Sequence, residues 1–294
     1  MTAYFIGIDG GGTSCRAALA AGDGTVLGRG KSGAANILTD PEGGLRHIIE
    51  AAEKACEEAG LETTVFGSCH VVLGLAGANV EKTVATVRKR LPFGNCAVES
   101  DALIAVHGAL GTQDGAAAIL GTGSVFGAKK GHRVRTIGGW GFLVGDQGSG
   151  AVLGRRLMQE ALLAHDGVRA ASPVTGKLLD AFDKDPRKLV AFAHDAAPGD
   201  FARYAPIVFE FAHKGDPVAE KLVCEAAAQV DEAISVVLAM SEPRLCLLGG
   251  LAAPFEPWLR PEHRACVTTA KGDALDGAVS LAIERFSLKD RAHA

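Results

Sequence analysis

The sequence predicts an α/β protein of two similar halves, and three observations carry that prediction. Short apolar runs that read as strands alternate with longer stretches whose apolar residues recur at helical spacing. A strand, a turn rich in Gly and Thr, and a return strand open the chain at residues 5–19, and the same device recurs at 116–128. No linker rich in Pro or Ser separates the halves, so a cleft rather than a tether is expected between two domains.

The elements follow in order. Residues 4–9 form a short apolar run that stops at Gly10-Gly11-Gly12-Thr13. Residues 15–20 read as a second strand, Asp23-Gly24 as a turn and residues 25–28 as a third strand, together a meander. Leu45, Ile48, Ile49, Ala52, Cys56 and Ala59 share one helical face; Asp40-Pro41 suits that helix's start and Gly60 the position past its end. A buried-type strand over 70–75 leads into Gly74-Leu75-Ala76-Gly77-Ala78. Val80, Val84, Val87 and Leu91 mark a second amphipathic helix, closed by Pro92. Ala97-Val98 is a short strand running into Ser100-Asp101, and a helix of small residues follows through Gly108.

The second half opens with residues 116–120, which stop at Gly121-Thr122-Gly123-Ser124, and returns along 125–128. A helix is expected after Gln147, and a long one whose inward residues include Leu222, Val223, Val230, Ile234, Val237 and Leu238. Residues 244–248 form a strand ending at Gly249-Gly250, and a final helix begins at Leu275. The expected domains are therefore 1–110 and 111–274, with a terminal helix at 275–294 packing back on the first.

Composition bounds the partners. With 34 acidic and 30 basic residues the formal charge is −4, which argues against a nucleic-acid partner, since that would favour a basic face. The 48% hydrophobic and 22% charged content is that of a folded globular chain. The 7 cysteines show no C-x-x-C spacing, so buried free thiols in a reducing compartment are expected rather than a zinc cluster or a disulfide framework. Residues 1–8 lack the basic start of a signal peptide, and no window approaches the ~20 apolar residues of a membrane helix. A soluble, cytoplasmic protein is expected, with a homodimer as the general prior for its assembly.

The two glycine turns, Gly10-Gly11-Gly12-Thr13 and Gly121-Thr122-Gly123-Ser124, each put bare backbone N–H groups and a hydroxyl at a strand end. Without Cβ atoms the chain can approach a phosphate closely, and successive N–H groups form an anion-binding concavity. Either turn alone could be a tight hairpin; two at matching points of the halves favour the phosphate reading. A dinucleotide fingerprint would need its third glycine where Cys15 stands. A Walker A loop ending at Gly30-Lys31-Ser32 would need a glycine at Thr25.

Three carboxylates and one indole are candidates beside these turns. Asp9 precedes the first turn, where a carboxylate can hold Mg²⁺ through water or cap the turn. Asp101 ends a short strand and could accept a proton from a hydroxyl nucleophile, or simply cap a helix. Trp140 and Asp146 lie in Gly138-Gly139-Trp140-Gly141 and Gly145-Asp146-Gln147-Gly148-Ser149-Gly150. An indole on flexible backbone beside a carboxylate suits a sugar; the alternative is a core plug and a helix cap. The basic run Lys129-Lys130, His132, Arg133 and Arg135 reads as a solvated hairpin tip. The 9 histidines show no H-E-x-x-H spacing.

Taken in order, Ile8-Asp9-Gly10-Gly11-Gly12-Thr13, Gly74-Leu75-Ala76-Gly77, Leu120-Gly121-Thr122-Gly123-Ser124 and Leu248-Gly249-Gly250 resemble the segments of the actin, sugar-kinase and heat-shock-chaperone ATPase superfamily. Within it the chain is most similar, over nearly its whole length, to the BadF, BadG, BcrA and BcrD branch and to its N-acetylglucosamine and glucosamine kinases. The resemblance implies two actin-like (ribonuclease H-like) domains, each a mixed sheet flanked by helices, with ATP, Mg²⁺ and an amino sugar in a central cleft that closes to exclude water. It implies that Gly11, Gly12 and Thr13 contact the β- and γ-phosphates with Asp9 near Mg²⁺, that Thr122 and Gly123 line their other side, and that Gly249 and Gly250 approach the adenosine.

Asp101 would be the general base for the sugar's 6-hydroxyl. Asn36, Gly139, Trp140 and Asp146 would hold the sugar. The chain departs from the pattern at Gln147, where the family carries Glu, which removes a negative charge beside that site. Two alternatives stay open on sequence: an ATPase activator of a reductive dehydratase, whose bridging cysteines have no counterpart here, and a non-catalytic nucleotide or sugar sensor, which would have no need of Asp101.

Overall fold

A computed structural model describes residues 3–292, with side chains described through residue 286. The chain divides into two compact units, one of residues 1–114, 129–135 and 270–294 and the other of 115–128 and 136–269.

The first unit is a five-stranded sheet. Strands β1 (Phe5–Gly10), β2 (Cys15–Ala20) and β3 (Val26–Ser32) form the expected meander. Helix α1 (Pro41–Glu58) starts where Asp40 accepts a bond from the Gly43 N–H, with proline in its first turn, and Gly60 follows its end at φ 68°. Strand β4 (His70–Leu75), helix α2 (Glu81–Arg88), strand β5 (Asn95–Ser100) and helix α3 (Asp101–Leu110) complete the run. The strand order is β3-β2-β1-β4-β5. The meander pairs are antiparallel, whereas β1–β4 and β4–β5 are parallel, so the sheet is mixed.

The second unit opens with β6 (Gly115–Leu120), β7 (Ser124–Lys130) and β8 (Arg133–Gly138), followed by helix α4 (Gly150–His165). Four short helices come next: α5 (Pro173–Asp180), α6 (Pro186–Asp195), α7 (Pro198–Ala202) and α8 (Ala205–His213). Sequence periodicity did not resolve these, because each holds too few turns to establish a period. The long helix α9 (Pro217–Leu238), strand β9 (Leu245–Leu248) and short helices α10 (Ala252–Phe255) and α11 (Pro261–Arg264) follow. The sheet order is β8-β7-β6-β9, with β6 and β9 parallel.

Helix α12 (Ala274–Ala292) returns to the first unit. One face of the first sheet packs Ile6, Ile8 and Leu19 against Leu45, Ile48, Ala52 and Cys56 of α1. The other packs Phe5 and Val72 against Ile104 of α3 and Ala278, Leu281 and Ala282 of α12. Helices α3 and α12 cross backbone to backbone: a Cβ on Gly108 would lie 1.7 Å from the Asp273 oxygen, and one on Gly277 1.9 Å from the Ile104 oxygen. That contact fixes the helix whose first residue is Asp101.

Two expectations are corrected. The basic run is a β7–β8 hairpin, but Lys129 is buried and its Nζ donates to the Gln113 carbonyl at 3.4 Å, while His132 pairs with Glu284. All seven cysteines are free thiols, yet Cys224 on α9 is exposed and Cys96 and Cys266 are half-buried. Burial pushes the Cys15 and Cys69 thiols up to about 12. In the second unit α9 is tied to α11 by a buried pair: His263 Nδ1–H donates to Asp231 at 2.5 Å, and the Arg260 N–H donates to both oxygens of the same carboxylate.

Candidate active site

In the first unit the glycine turn at the end of β1 is laced to two neighbouring loops. Gly11 N–H donates to the Ser14 carbonyl at 2.9 Å, Ala35 N–H to Gly11 at 2.8 Å and Ala76 N–H to Gly10 at 2.8 Å. Asn36 is thereby held beside the turn. Its Oδ1 accepts the N–H groups of Leu38 and Thr39, so a ligand would be met by its amide donors. Gly12 and Thr13 at the tip are exposed.

Asp9 ends β1 with one carboxylate oxygen, Oδ2, 2.6 Å from Nη2 of Arg16. Arg16 lies directly across the β1–β2 ladder from Asp9, and its Nη1 reaches Asp273 at 2.6 Å. Asp273 in turn caps α12, accepting the Leu275 N–H at 2.8 Å. Sequence reasoning missed this pair. The signal was available, since counting back through the first hairpin puts Arg16 opposite Asp9. Asp273 had no such signal.

Asp101 opens α3 behind its N-cap, Ser100. Its Oδ1 accepts the Ala102 N–H at 2.8 Å. The carboxylate stays accessible at the surface but is crowded by protein, and loss of solvation raises its pKa above the ordinary value. The bond from Ala102 opposes that shift, and the nearby Asp9 charge adds to it. A carboxylate with a raised pKa at a helix start is a competent proton acceptor.

In the second unit the Gly121-Thr122-Gly123 turn hangs from the start of α4. Gly150 N–H donates to the Gly121 carbonyl at 2.8 Å and Ala151 N–H to Thr122 at 3.1 Å. With the carbonyls tied down, the amide edge of Thr122 and Gly123 is the side that can meet an anion. Gly249 and Gly250, exposed at the end of β9, sit beside this turn: Leu251 N–H donates to the Leu120 carbonyl at 3.0 Å.

Asp146 is buried and left-handed, at φ 58°. Its carboxylate accepts N–H bonds from Ser124 and Gly141, joining the turn to the loop that carries Trp140. Burial is the largest influence on its pKa and raises it, against those two bonds. Gly139 N–H donates to the Ser124 carbonyl at 3.1 Å, a second tie. Trp140 itself is 74% exposed, which removes the core-plug alternative.

The candidates thus fall into one group per unit: Asp9, Gly11–Thr13, Asn36 and Asp101 in the first, and Thr122, Gly123, Gly139, Trp140, Asp146, Gly249 and Gly250 in the second. The model of the BadF/BadG/BcrA/BcrD ATPase family matches residues 6–264.

The chain belongs to the BadF/BadG/BcrA/BcrD ATPase family.

Its similarity extends to chains named as sugar kinases. It is 38% identical over 280 residues to the glucosamine kinase GspK of Vibrio cholerae, covering 95% of each chain. It is 29% identical over 254 residues to the N-acetyl-D-glucosamine kinase of Dictyostelium discoideum, covering 80% of this chain and 79% of that one. Among solved structures, a candidate N-acetylglucosamine kinase from Chromobacterium violaceum superposes with a TM-score of 0.84 at 34% identity, over 95% of this chain and 98% of that one. A ROK family glucokinase from Streptomyces griseus shares the fold, with a TM-score of 0.53 at 20% identity, over 95% of this chain and 98% of that one. The fold is that of the sugar kinases: two mixed sheets flanked by helices.

The family implies use of ATP, which is delivered with a divalent cation. Among the described residues no cluster of three or more His, Cys, Asp or Glu side chains is arranged to hold a metal by itself. The carboxylate present at the first turn is Asp9, and one carboxylate completed by waters and substrate phosphates is a donor set that Mg²⁺ accepts. Arg16 engages Oδ2 of Asp9, which leaves Oδ1 to accept from a metal-bound water. No helix among the described residues is long and apolar enough to cross a membrane.

Proposed function

We propose that this protein is an ATP-dependent amino-sugar kinase that phosphorylates the 6-hydroxyl of N-acetylglucosamine or glucosamine. The observation that carries the reading is Asp101: an accessible carboxylate of raised pKa, electrostatically coupled to the Asp9 turn, in a chain 38% identical to a glucosamine kinase.

In the reaction the 6-hydroxyl oxygen bonds to the γ-phosphorus while the bond from that phosphorus to the β,γ-bridging oxygen breaks, releasing ADP. The hydroxyl proton passes to Asp101. The amides of Gly12 and Thr13 and those of Thr122 and Gly123 receive the phosphate oxygens, while Gly11, whose N–H donates to Ser14, contributes bare backbone that allows close approach. Asp9 would hold Mg²⁺ through water, and the ion when bound would offset phosphate charge. Gly249 and Gly250 meet the adenosine. Trp140 offers its indole face to the sugar ring; Asn36 and Asp146 bind its polar groups. Asp146 can do so because a carboxylate has lone pairs beyond the two that Ser124 and Gly141 engage. Cytoplasmic location and a homodimer belong to the same reading.

The test is ADP release from ATP and Mg²⁺ by the purified protein with N-acetylglucosamine, glucosamine, glucose or no sugar. Stimulation by one amino sugar supports the reading and names the substrate. Release that no sugar stimulates rejects it.

A further inference from the structure

The segment that carries Trp140 is tied through its backbone at Gly139 and Gly141, and of its large side chains Phe142 reaches the core. Trp140, Leu143 and Val144 are 74%, 87% and 83% exposed, whereas Phe142 between them packs onto the core of the second unit. The Phe142 ring lies 5.1 Å from Phe201 of α7, and Phe201 lies 6.1 Å from Phe192 of α6. From Phe192 the contacts continue to Phe182 at 5.4 Å and Tyr204 at 6.0 Å. An aromatic chain thus runs from the Trp140 loop into the four short helices.

Arg155 of α4 places its guanidinium carbon 4.7 Å from the centre of the Phe142 ring. Its Nε is buried with no hydrogen-bond partner among the described residues, so the ring, rather than an acid, accounts for the placement of this side chain. Gly154 beside it lets α7 approach: a Cβ there would lie 1.9 Å from the Phe201 carbonyl oxygen.

We propose that Arg155 and Phe201 are positioning residues that clamp Phe142 between them and so hold Trp140 and Asp146 ready for the sugar. The proposal rests on the kinase reading of Trp140. Its physical basis is the backbone of the loop. Gly138, Gly139 and Gly141 all have positive φ, at 79°, 72° and 89°, so this glycine-rich backbone is intrinsically permissive; the bonds at Gly139 and Gly141 fix its base, and the Phe142 side chain is what sets the direction of the residues around it. A sugar that had to order the loop itself would bind more weakly by the entropy of that ordering. The helices α5–α8 then form the wall against which the sugar loop is set.

The test compares Arg155→Met, Arg155→Lys, Phe142→Ala and Phe142→Tyr in a Trp258→Phe background, where Trp140 is the remaining tryptophan. The sugar KM of Arg155→Met and Phe142→Ala is expected to rise roughly 2- to 30-fold, the range of a guanidinium–ring contact. The KM for ATP should stay within about 2-fold, because the side chains of Arg155 and Phe142 bond to neither phosphate turn and the backbone ties of the loop at Gly139 and Gly141 are kept. The fluorescence anisotropy of Trp140 should fall in the same two variants. Phe142→Tyr keeps the ring and should restore both readouts; Arg155→Lys should fall between, since an ammonium does not stack in plane.

A rise in both KM values together, or an unchanged sugar KM with unchanged anisotropy, overturns the clamp. If the unsubstituted protein shows no sugar-stimulated ADP release, the kinase reading itself fails and the clamp fails with it. That outcome differs visibly from an active parent whose variants behave like it.

Discussion

Replacing Asp101 with Asn separates catalysis from folding. The carbonyl oxygen of Asn can still accept the Ala102 N–H that Asp101 Oδ1 accepts at 2.8 Å, so the start of α3 is kept. What is lost is the proton acceptor, a change of roughly 10²–10⁴-fold in kcat, or about 2.7–5.4 kcal/mol of barrier.

Stability should move the other way. The folded pKa of Asp101 lies above its ordinary value, so the ionised form is disfavoured by folding and weakens the native state at neutral pH. Asn removes that penalty and the repulsion from Asp9. Solvent screening of an accessible carboxylate keeps that gain small, so Tm should hold or rise slightly. The assay is sugar-dependent ADP release beside a thermal melt of the same preparation. Near-normal turnover would refute the general-base assignment. A loss of turnover accompanied by a Tm several degrees lower would show that Asp101 serves the fold.

Three further outcomes are expected. Trp140→Ala should raise the sugar KM and leave Tm unchanged, because the indole is 74% exposed; a higher KM for ATP alone would reject the sugar platform. The acid limb of kcat/KM should lie above the ordinary aspartate pKa, with activity lost as pH falls and Asp101 takes up a proton. Any activity left in Asp9→Asn should show that limb at lower pH, since removing the neighbouring charge lowers the Asp101 pKa, and a pH–rate profile reads both. Asp231→Ala leaves buried His263 and the Arg260 N–H without their acceptor and should cost about 3–5 kcal/mol. Asp231→Asn, which keeps one acceptor oxygen, should cost clearly less, and denaturant melts separate the two.

Much of the frame is written locally. The meander, α1 with its Asp40 cap, and both glycine turns are signalled by period, capping chemistry and bare backbone, all of which act over a few residues. The order of those segments was enough to mark the ATPase family. The four short helices α5–α8 were invisible because none sustains a period, and only the core they share gives them a reason to form.

Partnership is what tertiary structure decided. Arg16 joins Asp9, seven residues away across a hairpin, to Asp273, which is 257 positions distant. Nothing in the spacing of residues encodes the second contact. Lys129 reads as a solvated cation, yet packing buries it and gives its ammonium the Gln113 carbonyl. Trp140 could have been core or surface by pattern alone; Phe142, two residues on, is the half-buried ring that packs on the core, and the indole stays outside. Local sequence sets backbone conformation because turns and caps are short-range, whereas the partner and the solvation of a charged or aromatic side chain depend on which distant segments fold against it.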